Sequence, residues 1–445
     1  MTTTQQLRLR DFINGPFREF SNYDNEINIP SIKDGLKDSQ RKALYGMYKD
    51  DKLKRVAQHA SRASEVTHYA HGAVSLEDVI TNMGASFPNF PNSNNVKLLD
   101  TQGQFGNMLE PSGASSRYIY CKLGDNFNKM FIKDDIEICT LNEVESESTE
   151  WSYLIPTLPL ILLNGTTGIG TGYSTNLFSY SLKEVKTKIE EYLENGFLVP
   201  NQMLPTFSTF GGYIERNGAQ VTLTGLLEKT NTTTVTIKEL PPMYTEDKYE
   251  QVLIKLKDAK KISDYKAYST ENQWKWEVKF KKEELAKLTP EKLVVLLKLS
   301  LKGSENITLW DTNGKIKQYD SPEEVLMEWV AWKLEMNEKR RQHLLSKFNI
   351  ESGVLKMKSE FIDWWNNAEE PSKMSNEQIS KELTSIGIDP SNHAMLFAMR
   401  ISSLTQEKID EMQQEIKKKQ AAIEFYANTN AREMFNLDLA SIKSL

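Results

Sequence analysis

The stretch SGASSRYIYCKLGDNF, residues 112 to 127, sets Arg117 beside Tyr118 and places a second tyrosine, Tyr120, two positions on, in a run of small residues. Aromatics in such a run form strands readily and usually serve as core or sheet surface. What a cation beside two phenols does here depends on the sequence around it.

Upstream, nine Lys/Arg stand against four Asp/Glu between Lys33 and Arg62, a basic patch in a chain whose net charge is −6. A solvated helix face is the plain reading of such a cluster, and a surface for an anionic partner is the other. SIKDGLKDSQRKALYGMYK carries Ile32, Leu36, Leu44, Met47 and Tyr48 with basic residues between them, and AVSLEDVITNM carries Val74, Leu76, Val79, Ile80 and Met83, close to helical spacing. A loop rich in Asn, Pro and Gly follows from about 84 to 116, then the RYIYCKL strand. Helices followed by a strand beside a glycine-rich loop are compatible with a winged-helix unit. Three of the five histidines, His59, His68 and His71, lie in HASRASEVTHYAHG, directly after the basic patch. Their spacing is not that of a metal set, and together with the patch and the Arg-Tyr pair they are candidates to converge on one anionic group, with phosphate the natural choice.

Downstream, from about residue 145, the texture turns to strand-like alternation, as in TTTVTIKEL and WEVKF, broken by Pro241-Pro242. Ser321-Pro322-Glu323-Glu324 reads as a helix start, and Val325, Trp329, Trp332 and Met336 then recur at helical steps. The stretch LTQEKIDEMQQEIKKKQAAIEF repeats Ile409, Met412, Ile416 and Ile423 at coiled-coil spacing, so the two predict a long antiparallel coiled coil with a small globular tip. The glycine-rich LLNGTTGIGTGYSTN, 162 to 176, fails as a nucleotide loop: no Gly-Lys-Ser/Thr follows, and Tyr173 stands where a dinucleotide fingerprint needs glycine. Ile169 between Gly168 and Gly170 is read from these residues alone as part of a tight turn near a core, the other reading being an exposed apolar residue on a backbone able to approach something closely.

The composition, 26% charged and 39% hydrophobic with 15 prolines in 445 residues, is that of a globular protein of several domains. No run of eighteen apolar residues occurs and the start, MTTTQQLRLRDF, is polar, so a soluble intracellular chain without a membrane is expected. Two cysteines and the absence of CxxC, HExxH and DxD spacings predict no metal held by this chain.

Taken in order, IPSIKDGLKDSQRKALYGM, YAHGAVSL, GQFGN, ASSRYIY, PLILLNGTTGIGTGYSTN and SSLTQEKIDEM resemble the breakage-reunion part of type IIA DNA topoisomerases. QRKALYG, RYIY and GIGTGYST look closer to the eukaryotic enzymes than to bacterial gyrase. The resemblance implies a mixed α/β multidomain fold. Residues 1–144 would form a winged-helix DNA-cleavage domain, 145–320 an α/β tower, and 321–445 a long antiparallel coiled coil ending in a C-terminal dimer gate.

By the same resemblance Tyr118 matches the nucleophile, Arg117 the adjacent transition-state arginine, Arg41 a second phosphate-binding arginine and His71 the histidine that assists near the phenol. Ile169 matches an isoleucine that wedges between base pairs, and Lys42 and Lys33 lie in a matching DNA-contacting region. Ala70 departs from the family, where histidine or proline is common, which puts a paired-histidine role in doubt. The implied partners are double-stranded DNA, a large subunit that binds both ATP and Mg²⁺, and a second copy joined through the coiled-coil end. A free-standing chain of this kind is similar to the multi-subunit bacteriophage enzymes, which implies work in the cytoplasm of an infected bacterial host. Two rival readings are a catalytically inert DNA-bridging dimer and a chain of the gyrase A type. The chain stops at FNLDLASIKSL, soon after the second long helix, so relaxation rather than negative supercoiling is expected.

Overall fold

The computed structural model of the chain describes residues 8–85, 94–399 and 405–444. Part of the loop expected at 84 to 116, and the first residue of the second coiled-coil stretch, Leu404, lie outside the described residues. Packing separates two compact units, Met1–Lys333 with Asp438–Leu445, and Leu334–Leu437. No described helix is long and apolar enough to cross a membrane.

In the first unit a helical turn (Leu9–Phe12) and a π-helical turn (Ile13–Phe17) run into helix α1 (Arg18–Asn28), followed by α2 (Asp38–Lys49), strand β1 (Lys54–Arg55), α3 (Val56–Val66), α4 (Ala73–Gly84), β2 (Leu99–Gln102) and β3 (Tyr120–Leu123). Leu44 and Met47 of α2 and Leu76 and Ile80 of α4 are fully buried, as expected of their apolar stripes, and Val56 and Ala63 of α3 are fully buried as well, whereas Tyr48, counted in the α2 stripe, is 41% exposed. The helices α2 and α3 cross at Gly46, where a Cβ would stand 2.6 Å from the Ala63 Cα, a spacing only glycine permits. Val74, counted in the apolar stripe of α4, is 70% exposed on its first turn. The strands form an antiparallel sheet in the order β1-β3-β2, with Arg55 and Gln102 flanking Tyr120. Three packed helices and a small sheet make the winged-helix unit expected from the sequence. His59 ties α3 to this sheet: it is buried, and its Nε2–H donates to the Cys121 carbonyl at 2.9 Å.

A hairpin, β4 (Leu141–Val144) and β5 (Glu147–Trp151), and the short α5 (Leu160–Asn164) lead to a second hairpin, β6 (Thr166–Gly170) and β7 (Tyr173–Leu177). The α/β part follows with β8 (Tyr213–Asn217), β9 (Gln220–Thr224), β10 (Leu226–Lys229), β11 (Thr234–Glu239), α6 (Glu246–Asp258), β12 (Asp264–Ala267), β13 (Trp276–Lys279), β14 (Ser300–Ser304), β15 (Ile307–Trp310) and β16 (Ile316–Tyr319). One sheet runs β10-β11-β13-β12 and another β14-β9-β8. The two stretches predicted as strands, TTTVTIKEL and WEVKF, pair with each other, Val235 opposite Val278 and Ile237 opposite Trp276, under Tyr249 and Leu253 of α6.

Helix α7 (Pro322–Asn367) starts where the sequence placed it, with Ser321 Oγ accepting the Glu324 N–H at 3.2 Å. Glu323 instead turns back into the protein and accepts the N–H groups of Asn201, Gln202 and Met203 at 2.9, 2.7 and 2.7 Å. Val325, Trp329, Trp332 and Met336 are all buried. One turn beyond Trp329, Lys333 pairs with Asp135 at 2.8 Å, both side chains 0% exposed.

In the second unit α7 runs against α10 (Gln406–Asn428), reached through α8 (Asn376–Ser385) and α9 (His393–Phe397). Arg341 donates to the Tyr426 carbonyl at 3.1 Å and Lys419 pairs with Glu351, so rising numbers on one helix meet falling numbers on the other. This is the antiparallel pair read from the sequence. Phe361, Ile362, Ile379, Leu383, Leu396 and Ile409 close a small core at its far end.

Two stability measurements follow from this packing. Lys333→Ala strips a buried carboxylate of its ammonium and should cost about 3–5 kcal/mol in urea unfolding. The double change Lys333→Met, Asp135→Leu should recover most of that loss. Burial holds His59 below its ordinary pKa, against the opposing pull of the Cys121 and Lys52 carbonyls. The unfolded chain, titrating near pH 6.5, then takes up the extra proton, so this contribution is intact above that pH and is lost as pH falls toward the folded value. Thermal unfolding from pH 7 to pH 5 should fall less steeply in His59→Gln than in wild type, and equal slopes would assign the fall to other groups.

Candidate functional site

The RYIY segment is held against the start of α3. Val56 and Ala57 donate to the carbonyls of Ile119 and Ser116 at 3.0 and 3.3 Å, and the Tyr118 N–H donates to the Ser115 carbonyl at 2.9 Å. Ser116 Oγ reaches Glu77 of α4 at 2.6 Å. Ile119 is buried beneath, and Tyr118, at the end of the turn that its bond to Ser115 closes, is 70% exposed. Among the described residues, its hydroxyl has no hydrogen-bond partner within the chain.

The two tyrosines differ. Tyr120 sits in the ladder, and its hydroxyl accepts from Arg55 Nε at 3.3 Å. Tyr118 lies just before the strand, with the Arg117 guanidinium 5.9 Å from its ring centroid and Arg117 Nε donating to Ser115 Oγ at 3.2 Å. Arg117, Arg55 and Arg62 line one shallow cavity of about 490 Å³ together with Gln58, Ser61 and Glu65. In the sequence Arg55 and Arg62 count only as charge in the basic patch, with nothing to assign them to the phenol. The signal is their place at the start of and nearly two turns into a helix whose start abuts the RYIY segment, which only the tertiary fold reveals.

Arg41, Lys42 and Lys33 are engaged elsewhere. Arg41 is buried, its Nε 2.8 Å from Asp34 Oδ2 and its second guanidinium nitrogen 3.2 Å from the Leu36 carbonyl. Burial works against its charge, but Asp34 outweighs it and the pKa is raised. The Lys42 ammonium pairs with buried Glu150 and lies 3.4 Å from Asp38. Lys33 Nζ lies over the Tyr153 ring at 4.2 Å. Arg41, Lys42 and Tyr23 line a second cavity of about 530 Å³. Lys37, which the sequence shows only as one more charge of the patch, is half-buried at the head of α2. It has no carboxylate partner among the described residues, and burial pushes its pKa down. With Asn82, Asn94, Asn164 and Thr167 it lines a cavity of about 250 Å³.

The histidines do not converge. His59 is buried, and His68 faces Glu147 at 3.2 Å. His71 is exposed at the head of α4, hydrogen-bonded to the Tyr23 hydroxyl and met edge-on by the Tyr69 ring at 5.4 Å. No hydrogen bond joins Tyr118 to Arg41 or His71 among the described residues. The structure therefore gathers the sequence candidates into two groups, Tyr118 with Arg117, and Arg41 with Lys42 near His71. Ile169 forms a third position. It is 80% exposed on β6, directly opposite Ser174 of β7.

Residues 28–441 match the family model for the A subunit of DNA gyrase/topoisomerase IV. The chain is 31% identical to DNA topoisomerase 2 of Plasmodium falciparum over 99% of its length, spanning 34% of that protein. It is 35% identical to human DNA topoisomerase 2-alpha over 81% of its length, spanning 24% of that protein. The chain thus spans about a third or less of the relatives it matches. The crystal structure of the Plasmodium falciparum topoisomerase II DNA-binding, cleavage and re-ligation domain superposes with a TM-score of 0.88 at 30% identity, covering 97% of this chain and 63% of that one. The motif order, the winged-helix and α/β architecture and the family match agree: this chain belongs to the family of the DNA gyrase/topoisomerase IV A subunits, the breakage-reunion part of type IIA topoisomerases.

Proposed function

We propose that the chain is the DNA breakage-reunion component of an ATP-dependent type II topoisomerase. It makes a transient double-strand break, holds each cut strand through a 5′-phosphotyrosine link, lets a second duplex pass and reseals the break, relaxing supercoils and decatenating DNA. The observation that carries this reading is the Tyr118 phenol, 70% exposed beside Arg117, while Tyr120 is held by Arg55.

A phenol with a pKa near 10 is a weak nucleophile until its proton leaves and positive charge stands near the oxygen. Arg117, beside the Tyr118 ring and sharing a cavity with Arg55, supplies that charge and offers planar donors to phosphate oxygens, while Arg62 in the same cavity is paired with Glu65 at 2.7 Å. In the forward step the Tyr118 oxygen loses its proton to solvent and bonds to phosphorus. The bond from phosphorus to the 3′-oxygen breaks, and that oxygen takes up a proton. Resealing is the reverse, with the 3′-hydroxyl attacking the phosphotyrosine diester. One phosphate ester replaces another, so cutting and closing need no nucleotide. In this reading Arg41 acts through Asp34, as part of the scaffold under α2, and His71 and Lys42 border the path of the DNA.

The groups nearest Tyr118 are arginines, and the carboxylates in the region are engaged, Glu65 by Arg62 and Glu77 by Ser116, a donor set that does not suit Mg²⁺. We therefore assign Mg²⁺ and ATP to a partner chain, a large subunit, with two copies of each chain and a dimer contact at the far end of the coiled coil. In this reading the chain is of the type of the T-even bacteriophage medium subunit, working in an infected bacterial cell, with residues 1–144 as cleavage domain, 145–320 as tower and 321–445 as coiled coil and dimer gate. Ile169 enters a base step and bends the duplex, at a cost of a few kcal/mol that the contacts of the bent DNA offset.

A denaturing gel that detects protein covalently attached to DNA tests the proposal, using the chain with Mg²⁺ and its large subunit. Wild type and Tyr120→Phe should give the adduct and Tyr118→Phe should not. Arg117→Ala should slow its formation by about 10²–10³-fold, the usual cost of removing one charge-stabilising donor. A Tyr118→Phe chain that still forms adduct would overturn the assignment. A wild type that binds duplex without cutting it would favour a bridging protein.

A further inference from the structure

The hairpin that carries Ile169 is gripped from both sides by side chains that the cleavage chemistry does not use. On one side stands Asn306, in the two-residue connection between β14 and β15. Its backbone exchanges hydrogen bonds with Asn176 of β7, Asn176 N–H to Asn306 O at 2.8 Å and Asn306 N–H to Asn176 O at 3.0 Å. Its carboxamide nitrogen donates to the carbonyl and hydroxyl oxygens of Ser174 at 2.9 and 3.0 Å, and its Oδ1 accepts from Gln318 at 3.3 Å. Ser174 is the residue directly across the ladder from Ile169.

The connection is itself anchored. The neighbouring Glu305 carboxylate accepts the Phe178 N–H at 3.0 Å, the Tyr180 hydroxyl at 2.8 Å and Arg216 at 2.6 Å, and the side chains of Arg216 and Glu305 are each 2% exposed. On the hairpin's other side, α1 closes the grip. Asn25 Nδ2 donates to the Thr171 carbonyl at 3.1 Å, and Thr171 Oγ1 donates to Asp24 at 2.7 Å. The glycines on either side of Ile169 let β6 lie flush on α1: a Cβ on Gly170 would meet Asn25 Oδ1 at 2.2 Å, and one on Gly168 would meet the Asn28 carbonyl at 2.2 Å.

We propose that Asn306 is a positioning residue for Ile169. Resting on the wedge reading above, it fixes the strand opposite Ile169, so that the isoleucine opens a base step instead of swinging aside when it meets stacked DNA. A two-stranded hairpin is marginal by itself and yields under load. A wedge must be stiffer than the stack it parts. The Asn306 amide bonds act on the strand that faces Ile169, with the buried Glu305 and Arg216 pair behind them as a fixed base.

The test is the bent fraction of a duplex carrying donor and acceptor dyes at its ends, read by energy transfer with the full chain, Mg²⁺ and the large subunit. The variants are Ile169→Ala, Asn306→Asp, Asn306→Ala and the double Ile169→Ala with Asn306→Asp, each also measured for DNA affinity and thermal unfolding. Asn306→Asp keeps the shape and removes the amide donor. It should lower the bent fraction by about threefold to tenfold, the order set by the lost donations to Ser174, with the chain still folded at the assay temperature, and Asn306→Ala should do at least as much. In the Ile169→Ala background Asn306→Asp should change bending no further, since the two act as one unit. An unchanged bent fraction in both Asn306 variants, or the same fall in both backgrounds, overturns the proposal. If Ile169→Ala itself leaves bending intact, the wedge reading fails and this role of Asn306 fails with it. If only Ile169→Ala reduces bending, the wedge stands and Asn306 is not its brace.

Discussion

A single buried carboxylate, Asp34, holds together the elements on which the exposed chemistry rests. Its Oδ2 takes Arg41 Nε at 2.8 Å and the Leu154 N–H at 3.0 Å, while Oδ1 takes the Leu36 N–H at 3.1 Å. The loop before α2, the helix itself and the segment leading to α5 therefore meet on one charge, and α5 passes directly into the Ile169 hairpin. A carboxylate with no exposure is tolerated only where donors converge on it, and here a guanidinium and two backbone amides do so. Removing Arg41 would leave that charge behind, which makes the residue indispensable to the scaffold whether or not it ever meets a phosphate.

With the scaffold fixed from within, the outer face carries residues that ordinary packing would have covered. An isoleucine 80% exposed and a tyrosine 70% exposed contribute nothing to the core. Each is presented by backbone that is itself pinned, Tyr118 by the start of α3 and Ile169 by α1 and the β14–β15 connection. The same design recurs at both positions: a rigid, hydrogen-bonded support and a side chain directed away from it. Under the proposed function this arrangement suits a large polyanion, with cations and exposed apolar side chains displayed and water displaced only on binding.

Much of this was legible in the sequence, and the limits have physical causes. The start of α7 was readable because capping is local: Ser321, Pro322 and Glu324 act within one turn, whereas the contact of Glu323 with Asn201, Gln202 and Met203 is set by the fold. The strands β11 and β13 were readable from alternation, and Tyr118 and Ile169 stood out because their neighbours are unusual. Arg41 matches a phosphate-binding arginine through the resemblance alone, and its engagement by Asp34 is invisible in the sequence because it depends on how the intervening loop folds. Lys42 looks free, and its partner Glu150 lies far along the chain. Arg55 and Arg62 are visible only as charge, because the cavity they share with Arg117 arises from α3 docking on the RYIY segment. The three histidines illustrate the same point, since sequence proximity places them together and the fold sends them to a buried backbone carbonyl, a surface glutamate and a tyrosine pair.

The central claim is that one phenol of this chain becomes a phosphodiester to DNA. The most direct measurement is mass spectrometry of peptides from wild-type enzyme trapped with DNA by denaturant, after nuclease has trimmed the nucleic acid to a nucleotide stub. The account predicts a peptide containing residues 117–120 with a nucleotide attached through its 5′-phosphate to Tyr118 and an unmodified Tyr120. A stub on any other residue, or none from an enzyme that has demonstrably cut its DNA, would contradict it.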